Sequence, residues 1–345
     1  MAVAFGIFDH LERRDIPLEQ LYRERLQLLE IADDAGFFCY HLAEHHSTPL
    51  GMAPSPSVFL AAVAARTRRM HFGPLVYLLP LYHPIRLIEE ICMLDQLSGG
   101  RLEVGVGRGI SPYELAHYKV DFMESRAIFE ESLKIIVTGL RERKVSHLGH
   151  YYRFTNAPIE VAPKQTPNPP FWYGSSTPDG LIFAARHSMN IVTGGPNAAV
   201  KTSAQAYRGM NERFRDSPDN LNPQIATPTI GAVRHLFIAD TDQQAEEIAA
   251  PAYRAYYGNI VKLWRDFGVT PAHFTDDIQI ASRGDAAIYG SPATVRAKVA
   301  GYFEQSGCEY LVLSFAWGSL TYEQSRRSLD LFVSEVMPKF VAPRN

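Results

Sequence analysis

The stretch Gly100-Arg101-Leu102-Glu103-Val104-Gly105-Val106-Gly107-Arg108-Gly109-Ile110 reads as a turn, a short strand and a sharp glycine turn that carries an arginine out of the strand end. Arg108 stands among β-branched residues and glycines with little apolar packing of its own. An anionic group near the strand end is its economical partner. A phosphate or carboxylate matches the guanidinium fork, and backbone N–H groups at Gly107 and Gly109 add donors. Two other readings compete. A dinucleotide fingerprint needs its third glycine two residues later, in the first βα unit, with an acidic residue about 20 positions further on. Here the third glycine comes too early, and at least two strand-helix units precede the motif. A plain tight turn with a solvated arginine needs no ligand at all.

Working outward, strand and helix alternate. Val3 to Phe8 is a short apolar run. Leu18 to Ala35 places Leu21, Leu28, Ala32 and Ala35 on one helical face and is closed by Gly36. Phe37 to Leu42 is a second strand ending in Ala43-Glu44-His45-His46, followed by a helix over Ser57 to Ala65. His71 to Leu79 is a third strand, Ile85 to Leu97 a helix, and Arg101 to Gly107 the fourth strand. Beyond it, Met123 to Leu140 keeps helical spacing, with Glu130 and Lys134 as an i,i+4 pair. Val145 to Val161 alternates like a peripheral hairpin. Phe171 to Gly174 is strand five, Asn190 to Thr193 strand six and Thr229 to Ile238 strand seven, with helices at about 181–187, 198–214 and 242–267. Gly268 to Tyr289 has little periodicity and reads as a mobile active-site loop. Ser291-Pro292 caps a helix to about Gln305, Tyr310 to Phe315 is the eighth strand, and Tyr322 to Phe340 closes the chain as a helix. Eight right-handed βα units with no linker between them close into one TIM (β/α)8 barrel spanning residues 1–345, with insertions at the C-terminal face, where the active site then lies.

The composition is that of a globular protein. Of 345 residues, 46% are hydrophobic and 21% charged, and a net charge of -3 gives no footprint for nucleic acid or for an anionic membrane. Cys39, Cys92 and Cys308 lack metal-ligand spacing and read as reduced thiols of a cytoplasmic protein. The start of the chain lacks the pattern of a signal peptide, and nowhere do about 18 apolar residues run together.

On a barrel, Glu44, His45 and His46 follow strand two, Arg108 follows strand four, and Ser175-Ser176-Thr177-Pro178 follows strand five. The last of these puts hydroxyls at a helix start, which binds phosphate well and also serves as an ordinary N-cap. Two adjacent histidines after a glutamate hint at a metal, but neighbours on a strand end point apart and no further ligands complete a set, so no metal is expected. His45 suits a proton carrier near neutral pH, and His46 a hydrogen-bonded structural role. An anionic cofactor clamped by arginine and hydroxyls, with an imidazole near its reactive end, fits flavin mononucleotide (FMN) or a similar phosphate-bearing group.

These residues carry a resemblance. Ala43-Glu44-His45-His46, Leu79-Pro80 with His83-Pro84, Leu94-Asp95-Gln96-Leu97-Ser98-Gly99-Gly100-Arg101, Gly107-Arg108-Gly109, Ser125-Arg126-Ala127, Gly290-Ser291-Pro292 and Val336-Met337-Pro338 span most of the chain. In that order they resemble the bacterial luciferase-like flavin monooxygenases. The resemblance implies a barrel that binds reduced FMN from a separate flavin reductase, activates O2 and oxidises a small organic substrate. It implies His45 as the catalytic histidine, Arg108 as the phosphate arginine, and Ser175, Ser176 and Thr177 as the phosphate loop. It also implies Leu75 and Val76 as the strand-three residues against the flavin ring, often joined by a non-prolyl cis bond. Two positions depart from the luciferases: Gly107 stands where their reactive cysteine lies, which puts light emission in doubt, and Ser176 replaces an acidic residue. A homodimer through the helices after strands two and three is implied as well. The rival functions are hydride transfer with the deazaflavin F420 on the same fold, and flavin binding without turnover.

Overall fold

The computed structural model describes residues 3–269 and 274–341. Its parallel strands are β1 (Ala4–Asp9), β2 (Cys39–Leu42), β3 (His71–Pro74), β4 (Val104–Gly107), β5 (Phe171–Gly174), β6 (Asn190–Thr193), β7 (Ile230–Ile238) and β8 (Tyr310–Ser314). Each pairs with its neighbour in sequence, and β8 returns to β1 with Ala4 opposite Tyr310. The seam between β3 and β4 is narrow, a single bridge from Phe72 to Leu102. The opening stretch explains how the seam closes: a Cβ at Gly105 would overlap the carbonyl oxygen of Pro74, so only glycine lets the two backbones approach. A two-residue strand, Tyr77–Leu78, then pairs with the upper end of β4.

Parallel neighbours require crossovers. The barrel helices are α1 (Leu18–Ala35), α2 (Pro56–Arg66), α3 (Pro84–Ser98), α4 (Ser125–Glu142), α5 (Pro178–Arg186), α6 (Asn197–Phe214), α7 (Pro292–Ser306) and α8 (Tyr322–Leu331). Their inner faces and the outward residues of the strands form one large apolar layer. A smaller cluster fills the barrel itself, where Leu75, Trp172, Val192, Tyr310 and Val312 meet Ala4, Phe8, Val76 and Val233. The peripheral hairpin forms as the alternation predicts, Lys144–Leu148 against Arg153–Pro158.

Three expectations are corrected. Tyr322 to Phe340 is not one α-helix: α8 ends at Leu331 and continues as a π turn over Phe332–Val336 and a 3-10 turn over Met337–Lys339. Pro338 lacks an N–H and disfavours α geometry before it, so the regular ladder stops short of it. The 268–289 stretch is not a structureless loop in its second half. Asp277 caps a helix over Ile278–Arg283, and Ala287–Gly290 is a ninth strand pairing with the upper half of β7. Both elements are too short to show a period, and they are held by burial of Ile278, Ala281 and Ala287. Residues 270–273 of that stretch lie outside the described residues. Finally, the helix after β7 is not an outer barrel helix. Asp242–Ile260, with Lys262–Asp266 after it, reaches the loops following β1, β2 and β4, and so forms a cap over the barrel mouth.

Candidate active site

The exit of β2 separates its two histidines. His46 donates from Nε2 to Glu44 Oε1 at 2.8 Å and accepts at Nδ1 from the Tyr118 hydroxyl at 2.8 Å, so both ring nitrogens are occupied. Glu44 in turn accepts from the Leu78 N–H at 2.9 Å. Burial pushes the Glu44 carboxyl up, and its hydrogen bonds pull against that shift. This set ties β2 to the strand at Tyr77–Leu78. It leaves His46 no free nitrogen for chemistry.

His45 points elsewhere. Its Nδ1 lies 3.0 Å from Glu114 Oε1, and Glu114 is buried. An ionised carboxylate only accepts, so Nδ1 carries the proton and Nε2 is left as the basic nitrogen. Glu114 sits on a short helix, Pro112–His117, whose N-cap Ser111 accepts from the Glu114 N–H at 3.3 Å. The cap closes over this pair. Tyr113 stacks on Phe267 at 4.0 Å with 8° between the planes, and Trp264 meets Tyr113 edge-on at 5.5 Å. What remains beside His45 is a cavity of about 20 Å³ lined by Ile110, Glu114, Ile260, Leu263 and Trp264 among others.

The cap is fastened through a buried carboxyl. Glu12 accepts from Asn259 Nδ2 at 2.8 Å and from the Gly318 N–H at 3.0 Å. Thr48 donates to the carbonyl of the same Asn259 at 3.2 Å. Burial is the largest influence on Glu12 and pushes its carboxyl up to about 7.

The ends of β4 and β5 are more open. Arg108 is half-buried, its guanidinium 4.8 Å from the centre of the Phe122 ring, and its hydrogen bond to Ser125 Oγ is long at 3.5 Å. The apolar packing that the flanking sequence lacks is thus supplied from the next loop. No acidic residue pairs with Arg108 among the described residues. Across from it, Ser175 Oγ and Thr177 Oγ1 lie 3.2 Å apart, and Thr177 caps α5 by accepting from the Gly180 N–H at 3.3 Å. Ser176 is exposed. Burial raises the Tyr173 phenol, while Arg126 and Arg108 draw it the other way, which puts both guanidinium groups near the β5 exit.

Between these two flanks lie Leu75 and Val76, joined by a cis peptide bond. Gly107 faces them, and a Cβ there would overlap Val76 Cγ2. No side chain fits at 107 while Val76 keeps this position. All the residues named from the sequence therefore follow the ends of β2 to β5 at one mouth of the barrel. Among the described residues no hydrogen bond joins His45 to Arg108 or to the Ser175–Thr177 hydroxyls.

Residues 3–309 match the luciferase-like monooxygenase family. The chain belongs to this family. Protein y4wF of Sinorhizobium fredii is 35% identical over 338 residues, covering 98% of this chain and 97% of that one. The oxygenase component of the flavin-dependent trigonelline monooxygenase of Acinetobacter baylyi is 27% identical, covering 97% of this chain and 95% of that one. The oxygenating constituent of 3,6-diketocamphane monooxygenase of Pseudomonas putida, solved with FMN, superposes with a TM-score of 0.82 at 22% identity over the whole of both chains. As a luciferase-like monooxygenase, the chain is an oxidoreductase built on a TIM barrel for a flavin cofactor. No helix among the described residues is long and apolar enough to cross a membrane.

Two residues of this mouth escape a reading of the sequence. Glu114 is hidden in Ser111-Pro112-Tyr113-Glu114, whose spacing already has a local explanation as an N-cap. Arg126 had a signal, the Ser125-Arg126-Ala127 match, but it opens a helix with Glu130 at i+4 and looks like a surface pair, which it also is at 3.0 Å.

Proposed function

We propose that this chain is the oxygenase component of a two-protein system: it takes reduced FMN from a separate reductase and uses O2 to oxidise a small organic substrate. The observation that carries this reading is Arg108, without an acidic partner among the described residues, beside a hydroxyl-capped helix N-terminus at the same barrel mouth as the His45–Glu114 pair. Arg108 and Arg126 neutralise the phosphate, and Ser175, Ser176 and Thr177 offer it hydroxyl and backbone donors at the start of α5. Leu75, Val76 and Gly107 form the surface against which the ring lies. Reduced FMN, when bound, supplies the two electrons and the place at which dioxygen is activated. His45, oriented by Glu114 through Nδ1, takes or returns a proton at Nε2. The cap keeps water from the reacting centre and must open for substrate entry and product release.

Two copies of the chain pack through α2 and α3, where Val58, Met93 and Leu97 stand exposed. Titration with reduced FMN and with reduced F420 under argon, followed by oxygen-electrode measurements, tests the assignment. Binding of FMN and oxygen uptake support it. Preference for F420 without oxygen uptake replaces it with hydride transfer, and tight FMN binding without any turnover leaves a flavin carrier.

A further inference from the structure

Side chains along β7 alternate across the barrel wall. Val233 joins the inner cluster, whereas Arg234 points outward and donates to Gly195 O at 2.9 Å and Asn197 Oδ1 at 3.0 Å. His235 therefore faces inward, one step nearer the open strand ends. The same count along β1 sets His10 on the inner side beyond Phe8, with their rings 4.8 Å apart. Tyr256 of the cap lies between the two imidazoles, 5.9 Å from His10 and 4.3 Å from His235. His10 is also 5.5 Å from His45. Four rings thus run in contact from β2 across β1 and the cap to β7.

The proposed flavin chemistry uses none of the last three. His235 is 7% exposed, and its Nε2 has no hydrogen-bond partner among the described residues. A buried, unpaired nitrogen is costly, so an unmet partner is the natural explanation. Burial holds His235 neutral, down to about 4, and His10 is lowered by burial and by its two imidazole neighbours. The ring also donates to the Ala286 carbonyl, so the one N–H of the neutral imidazole is on the other nitrogen and Nε2 is a bare acceptor without charge. The walls around His235 are flat: Tyr253, Tyr256 and Trp317 all lie within 5.6 Å, ring centre to ring centre.

We propose that His235, with His10 beside it, is the polar anchor of the substrate subsite, and that the substrate is a flat, largely apolar ring bearing a hydroxyl group that donates to Nε2. That the occupant is a substrate rests on the monooxygenase reading given above; the subsite itself does not. The ring oxygen meets His235 Nε2, and the ring packs among the aromatic walls. A substrate of strong charge is disfavoured, because the carboxyls near this end of the mouth among the described residues, Glu114 and Glu12, are already held by His45 and by Asn259 with the Gly318 N–H.

Equilibrium dialysis of the full chain without flavin tests this with 4-methylphenol, acetophenone and toluene. The wild type is expected to bind 4-methylphenol at least about tenfold more tightly than acetophenone or toluene, the scale of one buried hydrogen bond. His235→Phe should bring the three within about twofold of one another, and His235→Gln, which keeps a donor and an acceptor, should restore the preference. Equal binding of all three by the wild type, no binding of 4-methylphenol, or an undiminished preference in His235→Phe overturns the proposal. Should His235→Phe not fold, His10→Phe decides: a weakened preference supports the pairing, and an unchanged one overturns it. FMN titration of the same proteins separates the two readings. A wild type that binds 4-methylphenol selectively but not FMN would remove the flavin reading and leave the subsite standing.

Discussion

The two flanks of the barrel mouth are built on opposite plans. At the β2 side, His45 is paired with a buried carboxylate, covered by aromatic residues of the cap and left with a cavity of about 20 Å³. At the β4 and β5 side, Arg108 packs on Phe122 and makes only a long hydrogen bond to Ser125 among the described residues, Ser176 is exposed, and the hydroxyls of Ser175 and Thr177 bond mainly to each other and to their own helix. A phosphate arriving from water needs an open site whose donors are not spent. A proton-transfer group needs a fixed tautomer and shelter from bulk water. Under the proposed function, holding the cofactor and carrying out the reaction would be divided between strands, so substitutions on the two sides should separate affinity from rate.

The division is tested most sharply at His45. His45→Ala should lower turnover by about 10²–10⁴-fold, the usual worth of a positioned acid or base, while FMN affinity shifts by less than about 1 kcal/mol. Stopped-flow oxidation with chemically reduced FMN measures the first and fluorescence titration the second; a large loss of affinity would erase the division. His46→Ala belongs to neither flank and should instead lower the melting temperature, because Glu44 then stays buried without its main partner.

Arg108→Ala is the mirror experiment. Loss of a charge-assisted contact should weaken FMN binding by about 1.5–3 kcal/mol and leave the rate at saturating flavin nearly unchanged. An unchanged dissociation constant would remove Arg108 from the phosphate site and shift attention to Arg126.

Glu114→Gln probes how His45 is held. The amide keeps the shape but not the charge, so the rate should fall roughly 10–150-fold, equivalent to one hydrogen bond to a charged group. Because Glu114 acts through His45, the pH profile of turnover should move as well. A Gln variant with unaltered rate and profile would reduce the pair to a packing contact.

The smallest effect concerns the cap. The Glu12 carboxyl is raised in the folded protein to about 7 from an ordinary 4.5, so between those values the folded state holds more protons than the unfolded one. Its contribution to stability is therefore present below about 4.5 and is lost as pH climbs through 7. Glu12→Gln should remove this dependence. The melting temperature of the variant should gain on the wild type by a few degrees between pH 5 and pH 8, as followed by calorimetry. A constant difference across that range would mean that Glu12 is not the group that titrates.

Much of this architecture is legible in the linear chain. The eight βα units announce themselves because each strand and each helix satisfies its period within a few turns, and that repetition alone implies closure with all strand ends on one side. Arg108 is legible because its immediate neighbours give it no apolar packing, and the Ser175–Thr177 cap because hydroxyls before a proline mark a helix start. Glycines 105 and 107 are visible as letters, but their need is not, since it comes from Pro74 and Val76 on the facing strand.

What the sequence by itself determined is the barrel, the mouth at which chemistry gathers, and the residues whose local context leaves them unsatisfied. Only the tertiary structure decided that Glu114 faces His45 across 69 positions of chain, that Asp242–Ile260 lies over the mouth instead of outside the wall, that Ala287–Gly290 joins β7, and that His10, Tyr256 and His235 meet. The physical reason is common to all four. Each rests on contacts between segments far apart in sequence, formed once the barrel has closed, whereas local periodicity and capping report only what a segment can satisfy on its own.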